Sequence, residues 1–233
     1  MGLPIQKAPK HKCELSDGRE VIFRPFLVKE QKFLLLAKEG KKAEDVLLAV
    51  RNLITSITDG KVDAFKLPMF DLEYLFLQAR AKSVGETADL LFGCGECDAQ
   101  SKVKVNLEEV ELFYPKEKID NTIQLTDTLG VTLRYPSSEQ LAQADDMKTE
   151  AERFIHLLKH GIHTIFDEET VYDTDDIQDS ELTEFVESLT LTQVEMLEEF
   201  FASIPSVQTT VEYKCDGCGA ENESVVKGLQ NFF

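Results

Sequence analysis

The chain has 233 residues, 42% of them apolar with 15 Phe and no Trp, enough to bury a core in one large or two small domains. Its 43 acidic and 25 basic residues leave a net charge of −18, a sign that disfavours nucleic-acid backbones and anionic membrane surfaces as partners. No apolar run approaches a membrane span, and the N-terminus lacks both a signal-peptide apolar region and a myristoylation motif, so the chain reads as cytosolic and its cysteines as metal ligands more than disulfides.

After a basic tail (Lys7, Lys10, Lys12), residues 12–15 and 20–24 are strand-like around Asp17-Gly18, a hairpin signal. Pro25 ends the hairpin, and residues 29–38 read as a helix with Phe33, Leu34 and Leu35 inward, stopped by Gly40. A second helix spans 43–57, with Val46, Leu47, Val50, Leu53 and Ile54 at three- and four-residue spacing and Asp59-Gly60 after it. A third covers 69–82, opened by Leu67-Pro68, with Leu72, Leu75, Phe76 and Ala79 on its apolar face. Val84-Gly85 breaks it before strand-like residues 87–92.

Next comes Cys94-Gly95-Glu96-Cys97, followed by strand-like residues 102–105. Cys215-Asp216-Gly217-Cys218 sits in the same setting, between residues 209–213 and 224–226. A strand, a tight turn with thiols at i and i+3 and a returning strand make a zinc knuckle, with glycine freeing backbone N–H groups to face the sulfurs. Two such knuckles supply the closed four-thiolate shell that structural zinc prefers, at Cys94, Cys97, Cys215 and Cys218. The span between the pairs is far longer than in an ordinary zinc ribbon, so one shared metal would join distant parts of the chain.

The order of elements repeats. Residues 124–127 and 130–134 match 14–17 and 20–24, and 162–167 match 54–59. A helix at 192–203, with Val194, Leu197, Phe200 and Phe201, precedes the second knuckle as 69–82 precedes the first. These matches, in one order, point to an internal duplication. The fold class is then α+β, with two similar lobes, residues 1–114 and 115–233, each carrying a hairpin, helices and a knuckle, related by an approximate two-fold and joined at the four-cysteine site. Tyr114-Pro115-Lys116-Glu117-Lys118 marks the boundary.

Other clusters read as structural. Cys13 lies in a strand with no activating neighbour and is a small buried residue. Glu152, His156, His160 and His163 fall near one helical face, yet Leu157, Leu158 and Ile162 make that helix an ordinary amphipathic one. The acidic run from Asp167 to Glu181 lacks a calcium-loop register and supplies helix starts, with Asp179-Ser180-Glu181 capping a helix at 182–189. It also offers an acidic face to a basic partner. No phosphate loop, nucleophile elbow or paired catalytic carboxylates are present.

The run 67–86, with Asp71-Leu72-Glu73-Tyr74 and Arg80-Ala81-Lys82-Ser83 at its heart, followed by Cys94-Gly95-Glu96-Cys97, resembles the baseplate hub family of T-even-like contractile-tailed phages, hub subunits and hub assembly catalysts. The second CxxC also fits, and the likeness elsewhere is loose. The resemblance implies a non-enzymatic viral baseplate protein of the virus tail, a virion structural or assembly part put together in the host cytoplasm. Its partners would be other tail proteins, with no membrane, nucleic acid or small-molecule substrate. Arg80 and Lys82, on the helix leading into the first knuckle, are the candidate partner-facing or interlobe residues. Two rival readings are a zinc-ribbon adaptor for nucleic acid or the transcription machinery, which the charge opposes, and a thiol oxidoreductase. The latter would want a helix, not a strand, after Cys97.

Overall fold

Asp17-Gly18 turns the first hairpin, Gly18 adopting the left-handed φ of 81° that a residue without Cβ tolerates. In the computed structural model, which describes residues 8–40, 42–115 and 120–228, β1 (His11–Glu14) pairs antiparallel with β2 (Glu20–Phe23). Period-two alternation buries Cys13, Val21 and Phe23. Helices α1 (Val28–Glu39), α2 (Ala43–Ile57) and α3 (Met69–Ser83) follow. The anticipated faces of α2 and α3 are buried at Val50, Leu53 and Ile54 and at Leu72, Leu75, Phe76 and Ala79. Asp71, itself buried in the first turn of α3, accepts hydrogen bonds from the Ser16 amide and hydroxyl, tying the hairpin turn to that helix. Two seven-residue strands, β3 (Thr87–Gly93) and β4 (Gln100–Asn106), form the first knuckle hairpin, and a short β5 (Glu111–Phe113) comes after.

Residues Tyr114–Pro205 form a second compact unit. Here β6 (Thr122–Gln124), β7 (Gly130–Leu133), helices α4 (Ser138–Asp145) and α5 (Glu150–Gly161), and β8 (Ile162–Phe166) and β9 (Val171–Asp173) build a four-stranded sheet in the order β6-β7-β8-β9. Helices α6 (Asp179–Glu187) and α7 (Leu191–Phe201) complete it. Its core is Val131, Leu133, Leu158, Ile162, Leu182, Val186, Leu197 and Phe200. The chain then runs into β10 (Ser206–Lys214) and β11 (Glu221–Lys227).

That last hairpin does not stay with the residues before it. β10 pairs with β5 as well as with β11, giving the order β11-β10-β5, and residues from Ser206 onward belong to the unit built by the chain up to Phe113. A division at 114/115 with everything after it in one lobe is therefore corrected: the backbone ladder to β5 and the meeting of the two CxxC turns place the second knuckle with the first. Of the expected boundary run, Lys116, Glu117 and Lys118 lie outside the described residues, as does Lys7 of the basic tail.

Individual hydrogen bonds recur in the two units. The Arg24 amide donates to the Ile57 carbonyl at 3.0 Å, and the Arg134 amide to the Gly161 carbonyl at 2.8 Å. Their guanidinium groups reach the preceding carbonyls, of Ser56 and His160. At the start of α1 the Glu30 carboxylate accepts from the Leu27 amide, and at the start of α4 Gln140 accepts from the Ser137 amide while the Ser137 hydroxyl completes a capping box. Glu30 bonds the Ser56 hydroxyl and Gln140 the His160 ring, both at 3.0 Å. The third residue of α3, Asp71, holds Ser16, and the third residue of α7, Gln193, donates to the Leu125 carbonyl. The segments 162–167 and 54–59, matched in the sequence, differ in structure: the former is mostly strand β8, paired with β7, and the latter the end of α2.

Candidate metal centre

Each CxxC turn is closed by its own backbone. The Cys94 amide donates to the Ala99 carbonyl at 3.0 Å and the Cys215 amide to the Ala220 carbonyl at 2.8 Å. Within each turn, the amide two residues on faces the first sulfur: Glu96 N–H to Cys94 Sγ and Gly217 N–H to Cys215 Sγ, both at 3.3 Å. The turns are also fastened to each other. The Gly95 amide donates to Asn222 Oδ1 at 3.1 Å, and the Asp216 amide to Ser101 Oγ at 2.9 Å. Ser101 and Asn222 each stand seven residues beyond the first cysteine of their own knuckle, so exchanging the two turns maps one bond onto the other. Phe92 and Tyr213, each two residues before its knuckle's first cysteine, pack ring to ring at 5.1 Å, and the Tyr213 hydroxyl donates to the Gly93 carbonyl.

The sulfurs meet in the same exchangeable way. Cys94 and Cys218 are 3.6 Å apart, Cys97 and Cys215 3.7 Å, and all four lie within 4.8 Å of one another. A disulfide would bring two sulfurs to about 2.05 Å. A tetrahedron of thiolates around zinc, with Zn–S near 2.3 Å, has edges of about 3.8 Å. The donor set thus fits a closed four-sulfur metal site, and among the described residues it is the one cluster of three or more such side chains that does so. Hydrogen bonds from the Cys218 and Gly217 amides pull the Cys215 thiol down to about 6, and the Glu96 amide lowers Cys94. At Cys218 the Ala220 amide works in the same direction but is outweighed by the neighbouring Cys97 and Cys94 thiols, and the group rises to about 12. A bound cation would remove that conflict, since a coordinated thiol is deprotonated outright. Ser101, Asn222 and Tyr213 were not singled out in the sequence; their matched positions in the two knuckles are the signal that finds them.

Cys13 is buried, and burial with Asp71 and Glu14 nearby pushes its thiol up to about 12, leaving it inert. The histidine series is broken: α5 ends at Gly161, so His163 lies on β8. His156 bonds the Gln140 carbonyl at 2.9 Å, His160 bonds the Gln140 side chain, and their rings meet edge to face. The acidic run is spent locally: Asp167 accepts from the Glu169 and Thr170 amides, Asp175 pairs with Arg134, and Asp179 with Lys159. Lys82 forms a salt bridge with Glu108, with Glu86 at 3.9 Å. Arg80 is half-buried, burial lowers its pKa, and its Nη1 is buried without a hydrogen-bond partner. Among the described residues no helix is long and apolar enough to cross a membrane.

No solved structure matches the chain. It is 25% identical over 228 residues to the baseplate hub assembly protein gp26 of Enterobacteria phage T4, an alignment covering 96% of this chain and 98% of that one. Residues 8–233 match the family described as T4 bacteriophage base plate protein, and the chain, a baseplate-related protein, belongs to that family.

Proposed function

We propose that this protein is a non-enzymatic, zinc-stabilised structural or assembly part of the hub region of a contractile-tail baseplate, working in the virion tail or its assembly by docking to other tail proteins. The full-length likeness to a hub assembly protein carries the reading. The metal would be structural. A zinc held by all four thiols of the cluster would have no open position for a substrate, and its binding free energy would be folding free energy. The repeated hydrogen bonds and the exchangeable contacts at the sulfurs support descent from a duplicated hairpin–helix–knuckle unit. In that history the second knuckle packs beside the first. Arg80 and Lys82 remain a proposed docking edge on α3.

One experiment tests both halves of the proposal. Purified protein is expected to carry about one zinc per chain, and Cys97→Ser to lose it along with about 3 kcal/mol or more of stability. In the same preparations, wild-type chain is expected to bind tail proteins of its own phage, and charge reversal at Arg80 and Lys82 to weaken that binding. A metal-free protein with one titratable disulfide would overturn the zinc centre, and a chain that binds none of those proteins would overturn docking.

A further inference from the structure

Helix α1 is buried at Leu34 and Glu30, while Phe33 (66% exposed), Leu35 (53%) and Leu36 (52%) face out. Beside them, α2 exposes Leu48 (46%), and a hollow of about 400 Å³ opens between the two helices, floored by Ala49 and Leu53. A single exposed leucine is unremarkable. This face is informative because the second unit contains its counterpart.

The bonds from the Leu27 amide to Glu30 and from the Ser137 amide to Gln140 set α1 against α4, and the Arg24 and Arg134 amide bonds set α2 against α5. In that register Leu34 and Ala144 are both buried, whereas exposed Val28 meets buried Ser138 and buried Val50 meets exposed Phe154. Phe33, Leu35, Leu36 and Leu48 correspond to Gln143, Asp145, Asp146 and Glu152, all exposed. Where the first unit has Ala49 and Asn52, the second has Arg153 and His156, which bond the Ala144 and Gln140 carbonyls and so link α5 to α4. The first differs in being apolar and hollow at the same places, and its charge differs too: Lys29 and Lys32 stand where the second unit has Glu139 and Ala142.

We propose that the groove between α1 and α2, centred on Phe33 and Leu48 with exposed Leu36 beside it, takes an acidic amphipathic helix of another tail protein. The inference rests on the docking reading and names its surface. Two helices with an apolar channel between them accept a third, whose anchors recur every three or four residues. Lys29 lines the end formed by the start of α1, beside a Glu30 already paired with Arg24 and with exposed Lys32 one turn on, while Asp45 lies at the opposite end. The incoming helix therefore carries its acidic residues at the Lys29 end and runs away from them toward Asp45. A 12-residue helix with one apolar side chain buried gains little from its own packing, so the partner would also order α1.

The test is a photoreactive phenylalanine analogue at position 33 of the full chain in phage-infected cells, with the cross-linked peptide identified. The expected product is a peptide of another tail protein with acidic and apolar residues at helical spacing. Phe33→Asp with Leu36→Asp, and separately Leu48→Glu, are expected to lower affinity for that protein at least tenfold without losing zinc, and Glu152→Ala to leave it unchanged. Cross-linking to a second copy of this chain or to lipid, or undiminished binding by both variants, overturns the groove while docking elsewhere survives. Failure of the wild-type chain to bind any tail protein overturns the docking reading and the groove with it.

Discussion

Glu30 and Gln140 each occupy the third position of a helix, accept from the amide just before it and reach the end of the next helix, yet only Glu30 carries charge. Burial by itself would raise its carboxyl. The hydrogen bond from Arg24, the Leu27 amide and the Ser56 hydroxyl together hold it down to about 2, against 4.5 for a free glutamate. The sign follows from proton counting: between those values the unfolded chain binds a proton that the folded chain refuses, so stability falls as pH drops from about 4.5 through about 2. Glu30→Gln keeps the cap, as Gln140 does, but leaves Arg24 without its counter-ion. The expected result is a loss of about 1–3 kcal/mol at neutral pH and a flatter acid limb in denaturant unfolding followed by circular dichroism. An unchanged acid limb would mean that the pair contributes nothing to it.

At the scale of elements, the second turn imposes a tighter constraint than the first. A Cβ at Gly217 would lie 2.7 Å from the Ala99 Cβ and 3.6 Å from Cys97 Sγ, whereas Glu96 holds the matching place in the other knuckle. Gly217→Ala is expected to push the turns apart and to weaken zinc retention against a chelator, with the metal still bound when zinc is in excess; equal retention would show that the turn yields without cost. Such turns are legible from spacing alone, and the cores of α2 and α3 from periodicity. Elsewhere sequence falls short for physical reasons. Phe33 and Leu35 are apolar but exposed, because adjacent residues of a helix point about 100° apart and only Leu34 of the three faces the core. Strand β5 is three residues long and owes its existence to β10, nearly a hundred residues later, so no local pattern announces it. His163 continues a helical spacing after the helix has ended, since Ile162–Phe166 pairs with β7.

For the whole molecule, the charge is unevenly divided. Residues 114–205 hold 21 of the 43 acidic side chains and 6 of the 25 basic ones, a net of −15, which leaves −3 for the rest. The acidity that argued against nucleic acid is thus a property of the inserted unit, and the unit with the cysteines is close to neutral. The insertion leaves and re-enters between β5 and β10, so the first unit must hold together two stretches of chain separated by a whole folded body. Closing so long a loop costs chain entropy that grows only slowly with length, and the β5–β10 ladder spans three residue pairs. A metal shared by Cys94, Cys97, Cys215 and Cys218 would fix the two stretches at their far ends. Chelation is therefore expected to act selectively. Amide hydrogen exchange should accelerate in β3, β4, β10, β11 and β5, while the core around Val131, Ile162 and Leu197 in the second unit keeps its protection. Uniform loss of protection in both units would show that the second depends on the metal as well, and no change in either would remove zinc from the stability of the fold.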